Sequence, residues 1–598
     1  MGLFMQNLLK KIKKKTLRII LIPVIVSLFL TILLPNLRPT KDQAFSQYTS
    51  DLFNQEISGN TITLHYTLKN PSSYGIRKIP ITYGQCTTDA ELVLASVEKE
   101  QKKLHSYNKH SLSSKNQLTY DVLSNYLESA HDLAPYTLYD EPLEPLTGTQ
   151  SQLPVILSEY RFYEISDVEN YLHLLTKTPE YFRSILNFEH TKSESGLFMA
   201  AYTADAIIKE CRNFINLKES NYLYSSFVER LDELASTKDS ALTDKQRESY
   251  TRQNSAYIKK YIFPAYEQLI SGLSELRSSG KNNNGLCYLP NGRAYYEYLV
   301  KSETGSSRSI AELQNLANAQ ILSDLTAMQR VLTENSSQSS TSVTSDIFSS
   351  QGTLLSESDP GKILSTLSGK ITKDFPPYPQ IHTQIKYVQK SMEEYLSPAF
   401  YMIPAIDNTS ENVIYINRGH ITDNLSLFTT LAHEGYPGHL YQNVYYASLH
   451  PNPIRCVLNY GGYTEGWATY SEMMSYYFST LTKEQSTLFQ RNASVILGLY
   501  ALADMGIHYD GWKLADATAF FHTYGITDDA TIEDIYDLII ADPANYLKYY
   551  IGYLEFLELK KDAVKKWGDK FTQMRFHKAV LDIGPASFDV IEKYVLHL

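Results

Sequence analysis

Cysteine is scarce in this chain: 598 residues carry four, Cys86, Cys211, Cys287 and Cys456. They lie far apart and form no Cys-x-x-Cys pair, which argues against a zinc site built from thiolates. One or two disulfides and free buried thiols both remain open for them. An excess of basic charge is missing too. Lys and Arg number 55 against 65 Asp and Glu, a formal net charge of -10. That balance lacks the basic field of a general nucleic-acid binder, so no nucleic-acid partner is expected. No internal repeat of solenoid type is found.

Two things are also absent near the N-terminus, where the clearest topological signal stands. Lys10, Lys11, Lys13, Lys14, Lys15 and Arg18 precede the uncharged run IILIPVIVSLFLTILL, residues 19–34. No small-x-small cleavage site comes after it in PNLRPTKDQ, and no lipobox cysteine. The run approaches the roughly 20 residues needed to span a bilayer, and the basic flank marks the cytoplasmic side. The expectation is a basic cytoplasmic tail over 1–18 and a transmembrane anchor over 19–35. The rest of the chain then lies outside a cell membrane that it crosses once. A cleaved signal peptide is the rival reading.

Beyond the anchor the chain reads as mainly helical. LTYDVLSNYLESAHDL, DVENYLHLLTKTPEYFRSILNF and YIKKYIFPAYEQLISGLSELRSS repeat apolar residues at three-to-four spacing. Two short runs look like strands: TITLHYTL at 61–68, which alternates, and NVIYIN at 412–417. The Ser/Thr-rich stretch 335–352 reads as a loop. A composition shift after it sets a lobe boundary near residue 370. The fold expected is mainly α, large and two-lobed, with a small β element: a helical lobe over 41–370 and a second lobe over 371–598. Tyr is abundant at 47; its ring and hydroxyl suit polar cores and peptide clefts.

The chemistry concentrates in LFTTLAHEGYPGHLYQ, residues 427–442. His-Glu followed shortly by His is the material of a zinc hydrolase, two imidazoles for the metal and a carboxylate to act as base toward water. The usual spacing of the two His is four. Here His433 and His439 are six apart. Six helical residues rotate about 600°, so a regular helix would splay the rings by roughly 120°. Pro437 lacks an amide hydrogen and Gly438 tolerates unusual dihedrals, so the pair predicts a distorted helix that brings His439 back beside His433. A second segment, YTEGWATYSEMMSYY at 463–477, places Glu465 and Glu472 seven apart on one helical face. Glu465 is the better third ligand, and Glu472 the group that orients a liganding His from behind.

HEGYPGHLYQ with EGWATYSE resembles the bacterial family catalogued as domain of unknown function 885, whose hallmark is HExxPGHxxQ followed by EGWAxYxE. NPSSYGI near 70, TGTQSQLPVILSEY near 150, LSPAFYMIPAIDN near 400 and PANYLKYYIG near 545 fit the same resemblance. Such proteins are grouped with zinc peptidases similar to thimet oligopeptidase-like and carboxypeptidase Taq-like enzymes. The resemblance implies a helical fold with a central channel and a peptide substrate. It also implies one zinc ion on His433, His439 and Glu465, with Glu434 as general base. Leu440 stands where the family often has another His. Leu497 and Tyr500 stand near places where it usually carries arginines, which leaves the contact to a substrate carboxylate open.

A zinc peptidase also needs a donor for the oxyanion. Tyr549 best matches the family tyrosine. His508, with Asp504 one turn earlier to fix its ring, and His577 are the other candidates; His420 and Gln442 are assigned no direct role. The activity expected is hydrolysis of peptide bonds, of short peptides above all. The alternatives are a zinc-dependent amidase or deacylase of the cell envelope, and a non-catalytic extracellular binding domain with a vestigial metal site.

Overall fold

A computed structural model describes residues 39–77, 80–237, 241–336 and 355–597. The expected anchor, the basic tail and most of the Ser/Thr-rich stretch lie outside the described residues. Among the described residues, no helix is long and apolar enough to cross a membrane.

Helices dominate, as their apolar spacing predicts, and one three-stranded sheet sits among them. The elements nearest the site are α1 (Ile310–Ser336), β1 (Thr383–Tyr387), β2 (Ala399–Met402), β3 (Asn412–Ile416), α2 (Asn424–Glu434), α3 (His439–Ser448), α4 (Gly461–Ser475), α5 (Lys483–Met505) and α6 (Asn545–Trp567). The strand expected at 412–417 is thus β3. TITLHYTL is not a strand: Thr61–Thr67 is helical. The Asn60 side chain accepts from the amides of Ile62 and Thr63, which starts a helix. Thr61, Leu64 and Leu68 are buried, a helical spacing hidden inside an apparent alternation.

The strand order is β1-β3-β2, with β1 parallel and β2 antiparallel to β3. All five β3 residues are buried, which requires cover on both faces. That cover comes from two separate apolar cores. Side chains alternate along a strand: Ile414 and Ile416 enter one core, Val413 and Tyr415 the other. The sheet is therefore the partition between them. The second core is built mainly from residues 143–276, the first from residues 45–127 together with residues beyond 296. This division by packing does not fall at residue 370. The apolar face of α1 lies against α5, and buried Asp324 on α1 accepts from Arg491 and Ser494 on α5, both at 2.6 Å. Segments assigned by composition to the first lobe thus complete the core that carries the His-Glu motif. All four cysteines are free thiols.

Candidate metal centre

α2 begins where the Asp423 carboxylate accepts from the amides of Leu425 and Ser426, and its last turn carries His433 and Glu434. The ladder runs regularly to Gly435 N–H, which donates to Leu431 O. It then skips: Gly438 N–H donates to Ala432 O at 3.0 Å and Tyr441 N–H to Gly435 O at 3.1 Å, each spanning six residues in place of four. Gln442 N–H, bonded to Gly438 O, restores the regular step. Two residues have been extruded, so a sequence spacing of six acts as a helical spacing of four. The His433 and His439 ring centroids stand 4.9 Å apart at 81°. Only glycine fits at the re-entry point, because a Cβ on Gly438 would lie 1.7 Å from His433 O.

α4 closes the site. Glu465 Oε2 lies 3.5 Å from His433 Nε2 and 3.3 Å from His439 Nε2. Tetrahedral zinc bonds of about 2.0–2.1 Å separate neighbouring donor atoms by about 3.3–3.4 Å, so this spacing fits a shared ion. Two turns on, Glu472 Oε2 accepts from His433 Nδ1 at 3.1 Å, which leaves Nε2 as the donor atom facing Glu465. Glu434 is also close, since its carboxylate and the two imidazoles come within 4.8 Å of one another. Its Oε2, however, accepts from the Tyr401 amide of β2 at 2.9 Å. That bond ties the carboxylate to β2 and fits a base better than a ligand.

Three carboxylates thus surround two imidazoles. Burial works against a charged His433, yet the hydrogen bonds to Glu465 and Glu472 carry its pKa well above the ordinary imidazole value. Burial pushes Glu465 up, but the His439 charge and the bonds to both rings hold it well below the usual carboxylate range. Burial raises Glu434. The cluster carries three carboxylates against two imidazoles, and a divalent ion held there would supply positive charge and displace a proton.

α4 and α6 meet backbone to backbone: a Cβ on Gly466 would come within 2.4 Å of the Gly552 carbonyl carbon. The residue before Gly466 is Glu465, and one turn before Gly552 is Tyr549, so this contact brings both to one cleft of about 470 Å³. The Tyr549 ring is 6.3 Å from that of His433, and its hydroxyl bonds to no other described residue. Burial first, then the charges of Glu465 and Glu434, keep that hydroxyl protonated. Phe400, Tyr401 and Ile403 form an apolar wall, and among the described residues no Lys or Arg lines the cleft.

The other two expected donors are elsewhere. His508 is buried, its Nδ1 accepting from Leu286 N–H at 3.1 Å and its Nε2 donating to Ile539 O at 2.8 Å. Burial lowers its pKa to about 4, so it is a satisfied neutral imidazole. Asp504 does not hold that ring; it accepts from Tyr296 and the Ala544 amide. His577 is stacked on Phe375 and bonded to Tyr470 and Asp374 O, and burial brings it down to about 3. Neither histidine lines the cleft. His420 is exposed and Gln442 is buried; neither lines the cleft. The Tyr401 amide has no signal in the sequence, because a backbone donor is independent of residue type.

Over residues 87–595 the chain matches the family described as "Bacterial protein of unknown function (DUF885)", and it belongs to that family. No match exists among curated proteins. Two solved structures share the fold. One, described as a "putative lipoprotein" from Colwellia psychrerythraea, is 19% identical with a TM-score of 0.81, covering 93% of this chain and 99% of that one. The other, a "putative lipoprotein of unknown function" from Shewanella oneidensis, is 17% identical with a TM-score of 0.65, covering 94% and 100%.

Proposed function

We propose that this chain is a membrane-anchored zinc peptidase that hydrolyses peptide bonds of short peptides. The observation that carries the reading is Glu465 Oε2 at near-equal distance from the Nε2 atoms of His433 and His439, with Glu434 held beside them. Zinc held by those three residues would supply a Lewis acid that polarises an amide carbonyl and acidifies water. Glu434, oriented by the Tyr401 amide, takes a proton from the attacking water and passes it to the leaving amine. Its raised pKa suits both halves of that transfer. The Tyr549 hydroxyl donates to the oxyanion. Glu472 fixes the His433 tautomer. The anchor is assigned to residues 19–35 on their sequence, and the lipoprotein descriptions of the two structural relatives agree with a body tethered outside the membrane.

Glu434→Gln tests the reading. It should retain one zinc per chain while turnover of an unbiased peptide library falls about 10²–10⁴-fold. Loss of zinc would make Glu434 a ligand, and undiminished turnover would remove it from the chemistry. Cleavage of acylated amides by the native chain, with none of peptides, would replace the peptidase by an amidase.

A further inference from the structure

The extruded pair between the two histidines needs a restraint. Tyr436 and Pro437 lie outside the helical ladder, so the Pro437 carbonyl has lost its place in it. One buried group takes that carbonyl: the Trp467 indole Nε1–H donates to Pro437 O at 2.8 Å. Trp467 has no exposed surface. Its ring is fixed edge-on against Phe375 and Phe556, so the N–H has a single direction. It stands two residues after Glu465 on α4. The helix that brings the third ligand therefore also grips the loop that sets the distance between the first two.

We propose that Trp467 is a positioning residue of the metal centre. Its N–H holds the Tyr436–Pro437 extrusion in place and so keeps His439 in register with His433 and Glu465. This rests on the metal-binding reading above. Without the bond, the buried carbonyl must seek another donor, and the loop shifts together with the start of α3, where His439 is the first residue. Groups that orient ligands in this way typically change metal affinity by about 10–100-fold.

Trp467→Phe removes the donor and keeps an aromatic ring. The full chain, stripped of metal, is titrated with zinc against a chromophoric chelator, and the cobalt(II) form is compared by its visible absorption. The expected result is zinc affinity lowered about tenfold or more and a changed cobalt band, with the circular dichroism of the apo protein retained. Affinity and band equal to the native chain would reduce Trp467 to packing. If Phe does not fold at 467, the benzothiophene analogue of tryptophan, which replaces N–H by sulfur at constant shape, decides the matter by the same readouts. A native chain that binds no zinc at all is a different result, and it removes the metal reading itself.

Discussion

Tyr549 and His508 are equal candidates by residue type, and their surroundings separate them. The Tyr549 hydroxyl faces the cleft with no other described residue bonded to it, whereas both His508 nitrogens are bonded to the backbone. Tyr549→Phe should therefore lower kcat about 10²–10³-fold with little change in KM, measured on one peptide of the library; equal kcat would assign the oxyanion to another donor. His508 predicts a pH effect on stability. Its folded pKa of about 4 lies below the ordinary value of 6.5, so the unfolded chain binds the extra proton between those values. Its contribution is complete above about pH 6.5 and is lost as pH falls toward 4. His508→Gln does not titrate. Its stability deficit in urea unfolding should shrink by up to about 3 kcal/mol over that window, and a constant deficit would contradict the buried neutral imidazole. Candidate ligand types are legible in the sequence because His, Glu and their spacing are chemical signals. The fate of a lone His depends on which carbonyls surround it, and no local pattern records that.

At the scale of elements, the deciding feature is the two-residue extrusion between α2 and α3. Pro437 and Gly438 mark it in the sequence, and hydrogen bonds across six residues carry it in the fold. Gly438→Ala should abolish tight zinc binding and cost about 2–3 kcal/mol, because a Cβ 1.7 Å from His433 O forces the junction open. Zinc titration and urea unfolding read the two effects; a variant that binds zinc as the native chain does would show that the register does not depend on this turn. The helix Thr61–Thr67 shows the opposite case. A run of seven residues satisfies alternation and helical spacing alike, and the Asn60 cap settles it. β3 is legible because a strand covered on both faces is a continuous apolar run.

Across the whole molecule, a small sheet separates two apolar cores, and the candidate centre is assembled on one of them from α2, α3, α4 and α6. The composition shift near residue 370 does not foretell this, because helices distant in sequence, α1 and the helix Lys41–Ser58 among them, supply apolar faces to that core. The paired motifs do foretell that His433, His439 and Glu465 come together, since side chains from three helices converge only if those helices pack as these do. The central claim is that His433, His439 and Glu465 hold one divalent ion. The most direct test is the metal content of the full-length chain by elemental analysis after exhaustive dialysis, beside His439→Ala prepared in the same way. One zinc per native chain and none in the variant is the predicted result. A native chain without metal, or a variant with the same content, would contradict it.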